Sequence, residues 1–378
     1  ARVMVDGEVV LDGFTDPPPF GEAFFGTGSV EVGAGVSLVA DETVEVVVEY
    51  SSADSGFLHG AQVGLRPPEV DDLVDRAVAL AAEADAVVLV VGTNDDWETE
   101  GRDRESMDLP GAQPELIRRV CAANPRTAVV VNAGSVVTMD WADGAPAVLQ
   151  SWFGGQEMGD ALVDVLFGDA EPGGRLPTTV PHRLSDTPAF TNYPGESGRV
   201  YYGEGVFVGY RWYEARDIDV AYPFGHGLGY TAFTWGAARL GDVPSAAALA
   251  AGATVTATVA VTNTGDRPGS EVVQCYVAHL DPVVARPPQE LRGFAKVHLE
   301  PGETAEVVIE LDQRAFAYWD PADPGYADRN HRVPVAAGGG HVGHREEAGW
   351  YADPGDYEVR LGASSADIRA VMALTLEG

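Results

Sequence analysis

The spacing of apolar residues changes twice along this chain, and those changes limit what it can fold into. Leu73, Ala77, Leu80, Ala81 and Ala84 recur at helical spacing and lead into a continuous apolar run, Ala86 to Val91. Leu116, Ile117, Val120 and Cys121 mark a second helix, followed by the apolar strand Ala128 to Val131. A third strand, Ala147 to Trp152, precedes a helix through Met158, Leu162, Val165 and Leu166. Unbroken apolar strands between amphipathic helices predict a mainly parallel sheet sandwiched by helices.

On either side the period becomes two. Upstream, Val3 to Val10, Glu42 to Tyr50 and Ala61 to Leu65 read as strands separated by Gly, Pro and Asp clusters. This block is too short to be a sandwich alone and reads as the tail of one. Downstream, Val255, Ala257, Val259 and Val261 alternate with polar residues, as do Val273, Cys275 and Val277. Ala305, Val307, Ile309 and Leu311 follow, then Tyr357, Val359 and Leu361. Short strands at such intervals predict a β-sandwich of about 140 residues. The fold class is therefore α/β plus all-β. Arg66-Pro67-Pro68 and the change of period near 236 divide the chain into segments 1–65, 66–235 and 236–378. Residues 320–350, rich in Gly, Pro, Asp and His, form one long loop, a kind that is either functional or disordered.

Fifty-eight acidic against 24 basic residues leave a net charge of −34, with Lys296 the single lysine. Such a surface repels nucleic acid and anionic membrane, so neither is expected as a partner. No apolar run approaches the ~18 residues of a membrane span. Two readings of the acidity stay open: adaptation to high salt, where self-repulsion is screened, or a lysine-poor, GC-biased genome with an ordinary acidic surface. Two cysteines make no disulfide framework. Cys121 in a helical pattern and Cys275 in a strand pattern are expected as buried small hydrophobes. No Cys/His cluster has zinc spacing, His341 and His344 are expected in solvent, and neither metal nor cofactor is expected. Ala1 to Phe14 alternates like a strand and lacks the parts of a signal peptide, so the chain reads as beginning inside a folded module.

In an open parallel sheet, ligands gather beyond the carboxyl ends of the strands. The loop leaving the first strand runs Gly92-Thr93-Asn94-Asp95-Asp96-Trp97-Glu98-Thr99-Glu100-Gly101-Arg102-Asp103-Arg104. Carboxylates for proton transfer and hydroxyls, and an indole face for the apolar side of a ring, are what a sugar site needs. A solvated acidic loop capped by Arg–Asp pairs has the same composition, and spacing alone does not choose between them. Asp103 and Arg104 are expected to hold the loop by a charge-assisted pair. Tyr201, Tyr202 and Tyr213 could line a sugar site, but buried packing of one domain on the next is the expectation. His226 between two glycines reads as structural.

Several ordered motifs resemble one family. After Trp97-Glu98-Thr99-Glu100-Gly101-Arg102-Asp103-Arg104 and Leu109-Pro110 come Asn132-Ala133-Gly134-Ser135 and Trp152-Phe153-Gly154-Gly155-Gln156-Glu157. Leu166-Phe167-Gly168-Asp169, Pro172-Gly173-Gly174-Arg175-Leu176-Pro177, Tyr201-Tyr202-Gly203-Glu204-Gly205 and Tyr222-Pro223-Phe224-Gly225-His226-Gly227 follow. Together they resemble the C-terminal half of family 3 glycoside hydrolases of the β-glucosidase type. The last β-region, with Leu291-Arg292-Gly293-Phe294, is similar to that family's fibronectin type III-like domain, and the first block resembles the end of a PA14 module.

The resemblance implies a retaining β-glycosidase acting on a carbohydrate substrate, with its general acid/base at Glu100. Glu98 is the alternative, since two glutamates compete in the loop. Trp97, Asp96 and Arg102 are the accompanying substrate-binding candidates. It further implies a nucleophilic aspartate on an N-terminal (β/α)8 barrel, in cis or as a separate chain, for which these residues have no room. Met139-Asp140-Trp141 imitates the nucleophile motif but lies in the wrong domain, so Asp140 is expected as a loop or helix-start residue. Alone, the chain is expected to hydrolyse nothing at a useful rate. An exposed apolar face on the helix–strand domain would fit a missing half, and a homo-oligomer is also open. The contrasting class is a non-catalytic carbohydrate-binding or adhesive module, against which the acid-rich loop argues.

Overall fold

The computed structural model describes residues 1–21, 28–53, 60–68, 72–100, 103–322 and 347–378. They form two compact units, Ala1–Leu73 with Thr99–Asp103, and Val74–Glu98 with Arg104–Gly378. The candidate residue Arg102, and His341 and His344, lie outside the described residues.

In the first unit, β1 (Arg2–Val5) and β2 (Glu8–Asp12) form a hairpin. Its turn, Asp6-Gly7, has φ of 49° and 82°, the positive values that a tight Asp-Gly hairpin turn demands. The strand β3 (Val46–Glu49) pairs antiparallel with the other edge of β1. Arg2 ties the three strands together, reaching Asp12 and Glu49 at 3.2 Å each. The Thr15 hydroxyl, then Arg2, hold the Asp12 carboxyl well below the usual carboxylate range. None of the described residues of this unit is buried. The expected strand Ala61 to Leu65 is not formed: that stretch is irregular, with Val63 and Leu65 exposed. An alternating run becomes a strand only where a neighbouring edge accepts its hydrogen bonds.

The second unit opens with the predicted alternation. Helix α1 (Leu73–Glu83), β4 (Val87–Gly92), α2 (Gln113–Ala123), β5 (Thr127–Asn132), β6 (Ala147–Gln150) and α3 (Met158–Phe167) follow in order. The strands are parallel in the order β4-β5-β6. Val91, Val129 and Val131 pack with Ile117 and Cys121 of α2 and with Val137 and Trp141 beyond the sheet. Asn124, just past α2, donates to the carbonyls of Ala81 and Ala84 at 2.9 and 2.8 Å, satisfying the end of α1 from the next element. Gly168 ends α3 in the left-handed conformation, φ 81°. Val180–Pro181 (β7) and Val220–Tyr222 (β8) then pair antiparallel around helix α4 (Tyr210–Ala215).

The remainder is a two-sheet sandwich. In one sheet β10 (Arg239–Leu240), β11 (Val255–Asn263) and β14 (Thr304–Leu311) pair in order, and β9 (Phe233–Trp235) also pairs with β11. The other runs β13 (Glu290–Leu299), β12 (Gly269–His279), β17 (Gly355–Gly362), β18 (Ile368–Leu376). A small antiparallel pair joins β15 (Tyr318–Asp320) to β16 (Gly349–Tyr351); most of the loop expected over 320–350 lies outside the described residues. The predicted inward residues are inward: Val255, Ala257, Val259, Val261, Val307, Ile309, Leu311, Val359 and Leu361 all join one core. Cys275 lies in it as well, and both cysteines are buried and free.

Strand β12 departs from the alternating pattern. Val273, Cys275 and Val277 enter the sandwich core, yet Val272, Gln274, Tyr276 and Ala278 on its other face are buried too. That face carries the helix–strand domain. Gln274 donates to the Gly225 carbonyl at 3.0 Å, and Tyr276 meets Tyr210 of α4 edge to face at 6.0 Å. Gly225 has φ 82°, and a Cβ there would stand 2.0 Å from the Gln274 Oε1, so the motif from Tyr222 to Gly227 is a seam that only glycine fits. Two buried acids complete the seam. Glu271 receives Arg175 at 2.9 Å and Arg369 at 3.3 Å. Glu290 receives Arg286 at 2.9 Å, Arg292 at 2.7 Å and Arg211 at 3.5 Å.

Burial works to raise the Glu290 pKa, but Arg292, Arg286 and Arg211 outweigh it and hold the carboxyl below its ordinary 4.5. A depressed folded-state pKa stabilises above the unfolded value and is lost as pH falls through the folded one. Glu290→Gln should therefore cost about 3 kcal/mol at neutral pH by denaturant unfolding, and the gap to the parent chain should shrink as the pH drops below the carboxylate range.

Candidate active site

The acid-rich loop leaves the carboxyl end of β4 under tight control. The side-chain amide of Gln113, the first residue of α2, clamps the Gly92 peptide from both sides: its Oε1 accepts from Gly92 N at 2.7 Å and its Nε2 donates to Gly92 O at 2.9 Å. Thr93 N then donates to Asn132 O of the neighbouring strand at 3.1 Å. Asn94 turns the chain: its carbonyl accepts from the amides of Trp97 and Glu98 at 2.9 Å, and its Oδ1 accepts from Asp96 N at 3.0 Å. A short polar side chain mimicking a backbone turn is how Asn favours such positions.

Glu98 points inward from this turn. Its Oε1 accepts from the Thr93 hydroxyl at 2.7 Å and its Oε2 from the Ser135 hydroxyl at 3.2 Å. Arg104 stands 3.6 Å from Oε1, with both side chains about 15% exposed. Arg104 also donates to Val136 O at 2.6 Å, and the acid facing it is Glu98. The return leg is stapled beside it, where Thr138 N donates to Met107 O at 2.8 Å and the Thr138 hydroxyl bonds Asp108. Gly134 makes the seat possible, because a Cβ there would lie 2.6 Å from Glu98 Oε2 and 2.7 Å from the Phe153 ring.

Beyond the ends of β5 and β6 lies an open depression of about 410 Å³ lined by Gly134, Ser135, Val136, Trp152, Pro177 and Thr178. Ser135 thus serves both as a wall of the depression and as a holder of Glu98. Trp152 is held at φ 55°, a strained conformation for a side chain of that size and one that gathers at functional sites.

The other predicted residues fall as follows. Glu100 is exposed, with no hydrogen bond or ion pair among the described residues. Trp97 is 45% exposed, and Asp96 lies at the surface beside it in the turn. Asp140 sits at the start of a single 3₁₀ turn, Ala142–Gly144, 3.9 Å from Arg118, a loop residue as expected. His226 is half-buried beside the Tyr222 ring, and burial, then Arg175, lowers its pKa. Tyr213 is buried, and desolvation, then Asp186, pushes its hydroxyl up to about 12. Tyr201 and Tyr202 are a correction: they are 66% and 81% exposed rather than packed between domains, because no second surface of the described chain covers their loop. Sequence reasoning passed over Thr93, Gly134 and Ser135. The Asn-Ala-Gly-Ser motif was visible, but that its glycine and hydroxyl serve Glu98 depends on two strand ends meeting.

The chain thus joins a parallel sheet with an acid-bearing loop at its carboxyl end to a two-sheet β-sandwich. Comparisons specify it further. Residues 21–230 match the glycosyl hydrolase family 3 C-terminal domain, and residues 271–338 match a fibronectin type III-like domain. The chain belongs to glycosyl hydrolase family 3. It is 44% identical over its whole length to a β-glucosidase of Rhizobium radiobacter, of which it covers 43%, and 43% identical over 90% of its length to a probable β-glucosidase I of Aspergillus clavatus, of which it covers 42%. Among solved structures, the β-glucosidase of Kluyveromyces marxianus in complex with glucose is similar over the whole chain at 38% identity with a TM-score of 0.84, the chain covering 42% of it. The chain therefore spans less than half the length of these relatives.

Removing the Glu98 carboxylate strands Arg104 in a confined site, so Glu98→Ala should cost about 2 kcal/mol of stability. Glu100→Gln should stay within about 0.5 kcal/mol of the parent. Denaturant unfolding of the two variants separates the structural glutamate from the spare one.

Proposed function

We propose that this chain supplies the general acid/base of a retaining β-glucosidase-type enzyme, with Glu100 in that role. One observation carries the reading: both oxygens of Glu98 are committed to Thr93, Ser135 and Arg104, while Glu100, two residues on, is exposed and makes no hydrogen bond or ion pair among the described residues. A proton donor has to reach the substrate's leaving oxygen, and a carboxylate that serves as the acceptor for its own loop is poorly placed to do so. The β-glucosidase relatives support a β-linked sugar as the substrate class. Trp97 would offer its indole face to the sugar, with Asp96 and Arg102 taking hydroxyls.

In this reading Glu100 protonates the glycosidic oxygen as an aspartate attacks the anomeric carbon, then takes a proton from the water that releases the sugar. The aspartate belongs to a (β/α)8 barrel contributed in cis or as a second chain. The described domains are read as a PA14-like β tail over 1–65, the α/β domain over 66–235 and the fibronectin-like sandwich over 236–378.

Joined to the part of the Rhizobium radiobacter β-glucosidase that it does not match, the chain should hydrolyse β-glucosides. Glu100→Gln in that enzyme should lower kcat about 10²- to 10⁴-fold on poor leaving groups. The loss should be smaller on activated aryl glucosides, and azide should restore turnover. If Glu100→Gln is harmless and Glu98→Gln shows this pattern instead, the assignment passes to Glu98; if neither matters, a non-catalytic binding module is the better account. The 378 residues alone should not approach the ~10 s⁻¹ of a median enzyme.

A further inference from the structure

Two tryptophans on β15 and β16 stand outside the sandwich core. The register sets Tyr318 opposite Tyr351, Trp319 opposite Trp350 and Asp320 opposite Gly349. Successive side chains on a strand point to opposite faces, so both tryptophans share one face and Tyr318, Asp320 and Tyr351 share the other. The tyrosine face is engaged. Asp320 is buried and its Oδ1 accepts from Ala322 N at 2.9 Å, and the Tyr351 hydroxyl donates to Glu347 O at 2.7 Å. The tryptophan face is open, with Trp319 51% and Trp350 36% exposed. An exposed apolar cluster, unlike a single exposed residue, calls for an explanation.

The pair is held in place. Its ring centroids lie 5.5 Å apart with planes at 62°, the edge-to-face contact that aromatic quadrupoles favour. Arg314 sets its guanidinium carbon 3.5 Å from the Trp350 centroid, a cation–π contact. Arg314 sits on the one-turn helix Gln313–Phe316, whose Ala315 and Phe316 belong to the sandwich core and whose cap, Asp312, accepts from Ala315 N at 3.3 Å. No carboxylate pairs with Arg314 among the described residues, in a chain where acidic residues outnumber basic ones 58 to 24. Its N–H groups are therefore left for another acceptor.

Such a face suits one kind of ligand. A pyranose ring offers a patch of C–H bonds on one side and hydroxyls around its rim. An indole stacks on the first, and guanidinium and indole N–H donors meet the second. A net charge of −34 works against an anionic ligand and leaves a neutral sugar unaffected. The relatives named as β-glucosidases make β-linked glucose the carbohydrate to expect here. We propose that Trp319, Trp350 and Arg314 form a second carbohydrate-binding site, on the sandwich, which takes a neutral β-linked glucose oligosaccharide by stacking one ring on Trp319. It rests on the β-linked substrate class of the proposed function and not on the choice of acid/base. A site of this kind raises the local concentration of oligosaccharide at the enzyme without contributing a reacting group.

Calorimetric titration of the 378-residue chain with cellopentaose and laminaripentaose tests this without turnover. Millimolar binding of at least one is expected, since one stacked ring and a few hydrogen bonds make a small contact. Trp319→Ala and Arg314→Gln should each weaken it at least tenfold, and Trp319→Phe, which keeps a ring, should weaken it less. Glu100→Gln and Trp97→Ala should bind as the parent does. Trp319 is half exposed, so Trp319→Ala should leave the melting temperature within about 2 °C of the parent. No binding of either pentasaccharide by the parent chain overturns the proposal. So does loss of binding in Trp97→Ala with Trp319→Ala unaffected, which assigns the sugar to the acid-rich loop. Stronger binding of an oligogalacturonate than of either neutral sugar overturns the ligand class. Failure of Glu100→Gln to impair the joined enzyme would strike the acid/base assignment and leave this titration unchanged, so the two readings fail separately.

Discussion

Two buried carboxylates hold the sheet domain to the β-sandwich, and the geometry of the rest follows from them. Glu271, the third residue of β12, and Glu290, the first of β13, draw in five arginines between them. In a chain of net charge −34, that concentrates a large share of a scarce positive charge at one seam. A buried acid without a partner is costly, and one with several cations and a fixed set of hydrogen bonds is specific. The outcome is a rigid joint: β12 is buried on both faces, and the Tyr222 to Gly227 turn presses backbone against Gln274.

From that fixed base the sheet presents its carboxyl ends. The acid-rich loop is shaped by one of its own acids. Glu98 accepts from Thr93 and Ser135 and faces Arg104, and Gly134 leaves room for it. Placing one glutamate as an internal tie frees its neighbour two positions on to face solvent, a division of labour that identical side chains acquire only from their surroundings. The depression beside Ser135 and the strained Trp152 lie on the same rim.

The chain leaves apolar and aromatic surface uncovered in three places among its described residues. Its first unit is a three-stranded sheet with no buried residue among those described, its β4 strand ends the parallel sheet with an uncovered apolar face, and Tyr201 and Tyr202 stand in solvent. Exposed apolar surface in such quantity marks interfaces. All three features agree with a chain that spans less than half of its relatives.

Much of this was legible in the residues alone. The change of period located the parallel strands, the helices between them and the sandwich, because burial on two faces or one writes itself directly into the spacing of apolar side chains. The Asp6-Gly7 turn carried a hairpin signal in the same direct way, though it was passed over in favour of one long strand. Ala61 to Leu65 had the right alternation and formed nothing, since a strand needs a partner edge that no local pattern supplies. The resemblance carried by ordered motifs pointed to Glu100 as the acid/base with Glu98 as the alternative, two glutamates in one loop. Tertiary structure showed the partners of one of them: only the meeting of the β4 and β5 ends brings Ser135 and Gly134 to Glu98. The sequence by itself therefore determined the layers and the loop that carries the acids. Which acid is bound into the scaffold, which strand face stays bare and which tyrosines remain in water were decided by contacts between residues far apart in the chain.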